Sequence, residues 1–248
     1  MPELVHLEVA EQVATITLDS ERNRNALSKQ LVTELAVHLA TADAEPVAKA
    51  VLIRSAGTVF CSGADMTEAV SGGMAEGAKA IVALQRQIAT ATKPVVVELG
   101  GPVRAGGLGI VGAADIVIAA ESVTFQLTEV RLGLAAAIIS LTVHARMTPR
   151  SAALTTLGGA VFTGEQAAAY GLVTRAEPAI GLTPTVVEIC LELATGSPQG
   201  LRESKAILNR DLVARIDAHG EEMATLSARL FASDEARAAM TAFLNRKK

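Results

Sequence analysis

Apolar positions along this chain recur with two periods. LVHLEV (4–9) and VATITLD (13–19) are short β-like runs separated by AEQ, which predicts an N-terminal hairpin. After the polar turn ERNRNAL (21–27) the period lengthens, and Leu27, Leu31, Leu35 and Leu39 predict a helix with one buried face. KAVLIRS (49–55), VVVEL (95–99), IVIAA (116–120) and VTFQL (123–127) are compact runs of strand length. A helix over Ala80 to Thr92 lies between the first two and is stopped by Pro94. The stretch before it, TEAVSGGMAEGAKA (67–80), is small and glycine-rich and reads as a mobile loop. From Pro149 helical segments follow one another: 149–158, 164–171 with a glycine stop at Gly171, 183–195, 197–210, and a long helix through Phe231. The closing segment, 234–248, carries Met240, Phe243 and Leu244 at helical spacing.

Strands alternating with helices predict the α/β class, with no internal repeat. The expected layout is an α/β core over residues 1–190 and a helical part over 191–248 that cannot bury its faces alone.

Composition narrows the chemistry. Half of the 248 residues are hydrophobic, with no Trp, one Tyr and five Phe. The core is therefore aliphatic, and stacking on nucleic acid bases is disfavoured. A net charge of -4 without a basic cluster argues against nucleic acid or an anionic membrane as the partner. Cys61 and Cys190 form neither a disulfide framework nor a zinc spacing, and the four histidines (His6, His38, His144, His219) are scattered, so no metal site is expected. MPELVHLEVAEQ has no basic or apolar leader, and the apolar run Leu132 to Val143 is too short to span a bilayer. These features point to a reduced, soluble, cytoplasmic protein.

RAGGLGIVGAAD (104–115) contains a full G-x-G-x-x-G match at Gly107, Gly109 and Gly112. A dinucleotide fingerprint needs a crossover helix before the next strand, and IVIAA begins only a few residues after Gly112. The nucleotide reading fails on that spacing. Two others stay open: tight helix–strand packing, or a helix start whose unpaired N–H groups face a developing negative charge.

Three segments taken together resemble the crotonase family of enoyl-CoA hydratases and isomerases: VFCSGADM (59–66), KPVVVELGGPVRAGGLG (93–109) and FQLTEVRLGL (125–134). GEQAAAYGLV (164–173) and AMTAFLNRK (239–247) are similar to later family segments. The resemblance implies a ββα spiral core with a C-terminal helical trimerisation domain, and a homotrimer or dimer of trimers. It implies acyl-CoA thioesters as substrates and no metal or redox cofactor, coenzyme A being part of the substrate. The thioester oxygen would sit in an oxyanion hole made by the N–H groups of Ala64 and Gly106. Arg22 or Arg24 would stand near the CoA phosphates. Ala26, Ser62, Gly63, Asp65 and Met66 would line the adenine and pantetheine side, with Gly107 and Gly109 in the glycine turn. The 67–80 stretch would border the acyl pocket, and Arg246 resembles a basic residue that reaches CoA.

Familiar hydratases of this family carry two glutamates. Here Gly109 stands at the first position, and the second is present as Glu129. Glu129 is thus the candidate catalytic residue. Alone, it could act as base toward water and return the proton to C2, or shuttle a proton between C2 and C4 as an isomerase does. GGLGIVGAADIVIAA followed by FQLTEVRLGLAAAIIS is similar to bacterial hydratases of branched-chain degradation, of the 3-methylglutaconyl-CoA hydratase-like type, which favours hydration of a short or branched acyl group. A non-catalytic acyl-CoA-binding protein is the third reading. Glu98 and Arg104 could pair. Cys61 reads as a small buried side chain, and Asp115 as a structural hydrogen-bonding residue.

Overall fold

The structure, a computed structural model, describes residues 2–70 and 74–245. The first half runs β1 (Val5–Ala10), β2 (Val13–Leu18), α1 (Lys29–Ala44), β3 (Ala50–Ser55), α2 (Met66–Val70) and α3 (Met74–Thr90). Next come β4 (Val95–Leu99), β5 (Val103–Arg104), α4 (Gly107–Ala113), β6 (Ile116–Ala120), β7 (Thr124–Gln126), α5 (Ala137–Arg146) and α6 (Pro149–Gly158). The chain closes with β8 (Phe162–Thr163), α7 (Gly164–Ala169), β9 (Arg175–Glu177), α8 (Leu182–Ala194), α9 (Pro198–Leu208), α10 (Arg210–Phe231) and α11 (Asp234–Asn245).

Two sheets form the α/β core. The larger has the order β1-β2-β3-β4-β6-β9, antiparallel only in the β1–β2 hairpin. The smaller has the order β5-β7-β8. Val51, Val95, Val96, Val97, Ile118 and Ala119 are buried, as expected of parallel strands covered on both faces. One covering layer is α8, which packs on β2, β3, β4 and β6. Residue 190, where the sequence suggested the core would end, falls inside this helix.

Local signals account for most elements. Ser28 caps α1 by accepting from the Leu31 N–H, and Leu31, Leu35 and Leu39 form its buried stripe. Leu27, expected on that stripe, precedes the cap and bridges to Ala64 instead. Thr148 and Pro149 open α6, and a Thr163–Gln166 capping box opens α7.

The stretch 67–80 corrects the sequence reading. Its described residues lie largely in α2 and the start of α3, not in a mobile loop; residues 71–73 lie outside the described residues. Asp65 Oδ1 accepts from the Thr67 and Glu68 N–H groups and starts α2. In α3 the buried stripe Ala78, Ile81, Leu84 and Ile88 outweighs the roughly 1 kcal/mol helix penalty of Gly77. Helix α5 was not legible either, because its apolar run has no polar face. It packs against α4 and α10, and a Cβ at Gly112 would come within 2.9 Å of Thr142. Among the described residues no single helix is long and apolar enough to cross a membrane.

Candidate active site

The three sequence segments converge through backbone pairing. Leu27 N–H donates to the Gly63 carbonyl at 2.8 Å, and Leu27 bridges Ala64 in parallel fashion. Cys61 bridges Val103, whose strand β5 pairs in turn with β7 at Val103–Phe125 and Arg104–Gln126. Glu129 lies three residues beyond Gln126, in a short 3-10 turn over 129–132. The ERNRNAL, SGAD, AGG and TEVR stretches are thereby held side by side.

The SGAD and AGG turns stand directly against each other. A Cβ built on Gly106 would lie 3.7 Å from the Ala64 nitrogen, so the two turns are in contact. Among the described residues neither the Ala64 nor the Gly106 N–H has an acceptor. Backbone strain surrounds them: Gly63 has φ +93, and Ala105, an alanine, has φ 45. Ala105 is fixed there by its N–H bond to the Gln126 carbonyl at 3.0 Å. Left-handed backbone in a non-glycine residue costs about 1–3 kcal/mol and persists where its surroundings over-determine it. Unpaired donors held this rigidly suit a carbonyl oxygen that gains negative charge. Gly63→Ala would place a Cβ 3.0 Å from that of Ala105 at a φ that side chains disfavour. It is expected to lower kcat about 100-fold by displacing the Ala64 donor, measured by steady-state kinetics on folded protein.

Glu129 is the largely buried carboxyl on the turn that follows β7. Its Oε2 is buried and has no hydrogen-bond partner among the described residues. Burial pushes its carboxyl up to about 7, opposed by a bond from its own backbone N–H. Helix α11 packs on the 129–132 turn, and a Cβ at Gly133 would meet Glu235 and Ala236 within 3.4 Å. Leu134, Ala236 and Met240 form a small apolar cluster there, joined by Met66 and Leu132. A carboxyl with a pKa near neutrality can both take and return a proton.

The other sequence-singled residues fall as follows. Arg22 and Arg24 are exposed on the turn clamped to Ser62, whose N–H donates to the Arg24 carbonyl and whose hydroxyl donates to the Asn23 carbonyl. Ala26 is buried behind that turn, and Asp65 accepts from Asn23 Nδ2 at 3.3 Å. Gly107 packs where a Cβ would meet Cys61 at 2.7 Å, and Gly109 where it would meet Gln85 at 3.1 Å. Arg246 lies outside the described residues. Cys61 is fully buried and its thiol is pushed up to about 12, so it is no nucleophile at neutral pH.

The suggested Glu98–Arg104 pair does not form. Glu98, on the large sheet, accepts from the Thr183 hydroxyl at 2.6 Å, while Arg104, on the small one, donates to Thr124. Asp115 does serve as a hydrogen-bond hub, accepting from Val95 N–H, Asn209 and Lys205.

Sequence reasoning missed Asn25. It is 1 % exposed with φ 52, accepts from Ser20 N–H and donates to the Val59 carbonyl, locking the first turn onto the second. An asparagine in a polar turn gives no signal that separates it from solvated neighbours. Among the described residues no three His, Cys, Asp or Glu side chains gather as a metal site. A cleft of about 210 Å³ near Lys49 and Lys93, and another of about 500 Å³ near Ile116 and Ile189, share no residue with this site.

The fold and this constellation define a class. A family model described as enoyl-CoA hydratase/isomerase matches residues 8–248, and the chain belongs to that family, which makes it a crotonase-type enzyme. Among solved structures, an enoyl-CoA hydratase from Mycobacterium avium is 40 % identical with a TM-score of 0.92, covering 99 % of this chain and 98 % of that one. A short-chain-enoyl-CoA hydratase of Clostridium acetobutylicum is 27 % identical over 98 % of this chain and 95 % of its own length. A mevalonyl-coenzyme A hydratase of Aspergillus fumigatus is 28 % identical over 95 % of this chain and 90 % of its own.

Proposed function

We propose that this protein is an enoyl-CoA hydratase that adds water to a short or branched 2-enoyl-CoA thioester, with Glu129 as its one acid–base residue. The observation that carries this reading is the buried, unpartnered Glu129 Oε2, set in the segment that pairs beside two unclaimed backbone N–H groups. In the first step Glu129 takes a proton from water as the oxygen bonds to C3. The C2=C3 electrons move to the thioester oxygen, where the Ala64 and Gly106 N–H groups stabilise the enolate. The enolate then collapses and C2 takes the proton back from Glu129. Water is consumed, and the carboxylate and donors are regenerated.

Arg22 and Arg24, exposed beside the Ser62–Ala64 turn, are suited to the CoA phosphates, with Ala26 and Ser62 to Met66 along the pantetheine. No cofactor beyond the CoA of the substrate enters the mechanism. The names of the Clostridium relative, a short-chain-enoyl-CoA hydratase, and of the Aspergillus relative, a mevalonyl-coenzyme A hydratase, agree with this substrate class. Self-association as a trimer or dimer of trimers fits exposed Val130, Leu154, Leu157 and Val161, and a cytoplasmic location is compatible with a CoA substrate.

A single carboxyl near pKa 7 also suits proton transfer between C2 and C4, so isomerisation is the second reading. The test is to mix purified protein with 2-enoyl- and 3-enoyl-CoA esters and follow product masses. Gain of one water on 2-enoyl esters is expected. An unchanged mass with a moved double bond would give the isomerase, and tight binding with neither change the non-catalytic binder.

A further inference from the structure

The strongest unassigned feature is a polar cluster in the core beside Gly109. Gln85, in the middle of α3, is 0 % exposed, as is Thr142 on α5. An amide buried this deeply is costly unless bonded, and each of its polar atoms is bonded. Oε1 accepts from the Thr142 hydroxyl at 2.8 Å, and Nε2 donates to the Ile138 carbonyl at 3.2 Å and the Ile81 carbonyl at 3.4 Å. Thr142 Oγ1 also approaches the Gly109 carbonyl at 3.3 Å. The cluster ties α3 to α5 across the first turn of α4.

Gly109 is pressed against this cluster. A Cβ there would stand 3.1 Å from Gln85 Cδ, 3.4 Å from Gln85 Nε2 and 3.2 Å from Ile139 Cγ2. The 3.1 and 3.2 Å approaches are tighter than ordinary contacts, so a Cβ at 109 requires the bonded Gln85 amide and the packed Ile139 to give by a few tenths of an ångström. Position 109 is also one helical turn from Gly106, whose N–H faces the thioester site. A longer acidic side chain at 109 is thus opposed by a residue on a different helix.

We infer that Gln85 and Gly109 are a matched pair in which the Gln85 amide occupies the space of a second acid–base group, making Gln85 a specificity-determining residue that holds the site to one carboxylate. The inference rests on the hydratase reading above. Gln85 is not catalytic: a neutral amide neither gives nor takes a proton at working pH. It acts through volume and through its bond to Thr142. Combining Gln85→Ala with Gly109→Glu moves a side chain of nearly equal size from α3 to α4. The new carboxylate would then replace the amide oxygen as the acceptor of the Thr142 hydroxyl.

The experiment is a double-mutant cycle over wild type, Gln85→Ala, Gly109→Glu and the double variant, read by thermal unfolding and by hydration of crotonyl-CoA across pH. The Tm loss caused by Gly109→Glu is expected to fall by at least half in the Gln85→Ala background. The double variant should hydrate crotonyl-CoA about tenfold or more faster than Gln85→Ala, with a second ionisation in its pH–rate profile. Additive Tm losses would overturn the pairing. Coupled losses without a gain in hydration would reduce it to core packing and overturn the specificity role. If none of the four proteins hydrates any 2-enoyl ester, the hydratase reading fails on its own, while the thermal cycle still decides whether the two positions compete for one space.

Discussion

Glu129→Gln is expected to lower kcat by about 10³-fold or more, within the range typical of a lost general acid–base, with acyl-CoA affinity changed by no more than a few-fold. The amide keeps the size and burial of the side chain but can neither accept the proton of water nor return it to C2. Because burial raises the Glu129 carboxyl from the ordinary 4.5 to about 7, the base form populates as pH rises through about 7, and kcat should climb over that window. Stability runs the opposite way. A group whose folded pKa is raised contributes stability that is fully present below its unfolded pKa and is lost as pH rises through the folded value. Wild type therefore carries a buried charge at pH 8 that the glutamine variant lacks. The variant should melt higher than wild type at pH 8, the difference closing toward pH 4, as measured by thermal unfolding at both. An inactive variant that melts lower at pH 8 would mean that unfolding, not lost chemistry, explains the result.

The largest effect on stability is expected from Asp115→Ala. Lys205 is 4 % exposed and spends its ammonium on the Ile88 and Lys93 carbonyls and on Asp115 Oδ2 at 2.8 Å. Burial lowers the Lys205 pKa, and the neighbouring Asp115 opposes that shift. Asp115 also accepts from Val95 N–H and Asn209 at 2.7 Å each. This cluster fastens α9 and the start of α10 onto the α/β core. Removing the carboxylate leaves a buried cation without its counter-charge, a change that costs roughly 3–5 kcal/mol, or about 10 °C in Tm for a chain of this size. Asp115→Asn combined with Lys205→Met should recover more than half of that loss, because the buried Lys205 charge that needed Asp115 is removed with it, leaving Arg146 as the cation that still feels the missing carboxylate. Equal Tm for Asp115→Ala and wild type would contradict this picture of the docked helices.

Much of this was legible in the sequence wherever one short stretch carries its own signal. The β1–β2 hairpin, the Leu31–Leu35–Leu39 stripe and the further strands follow from local periodicity, while Ala64, Gly106 and Glu129 were singled out by the family resemblance of three motif segments. What escaped notice depends on distant packing. The 67–80 stretch is rich in glycine, yet its helices are held by a stripe that finds its partners only in the folded core. Leu27 has helical spacing, but its bridge to Ala64 draws it out of the helix. Gln85, a polar residue on an amphipathic helix, looks solvent-facing until Thr142, more than fifty residues on, supplies its partner. The turn that carries Glu129 likewise packs against α11, about a hundred residues further on.

The most direct test of the central claim follows labelled oxygen. Wild type and Glu129→Gln are incubated with a short 2-enoyl-CoA ester in ¹⁸O water and the thioesters weighed. The account predicts that wild type gives a 3-hydroxyacyl product carrying one labelled oxygen and that the variant gives none while still binding the ester. Label incorporated by both proteins at similar rates, or by neither while the double bond migrates, would contradict it.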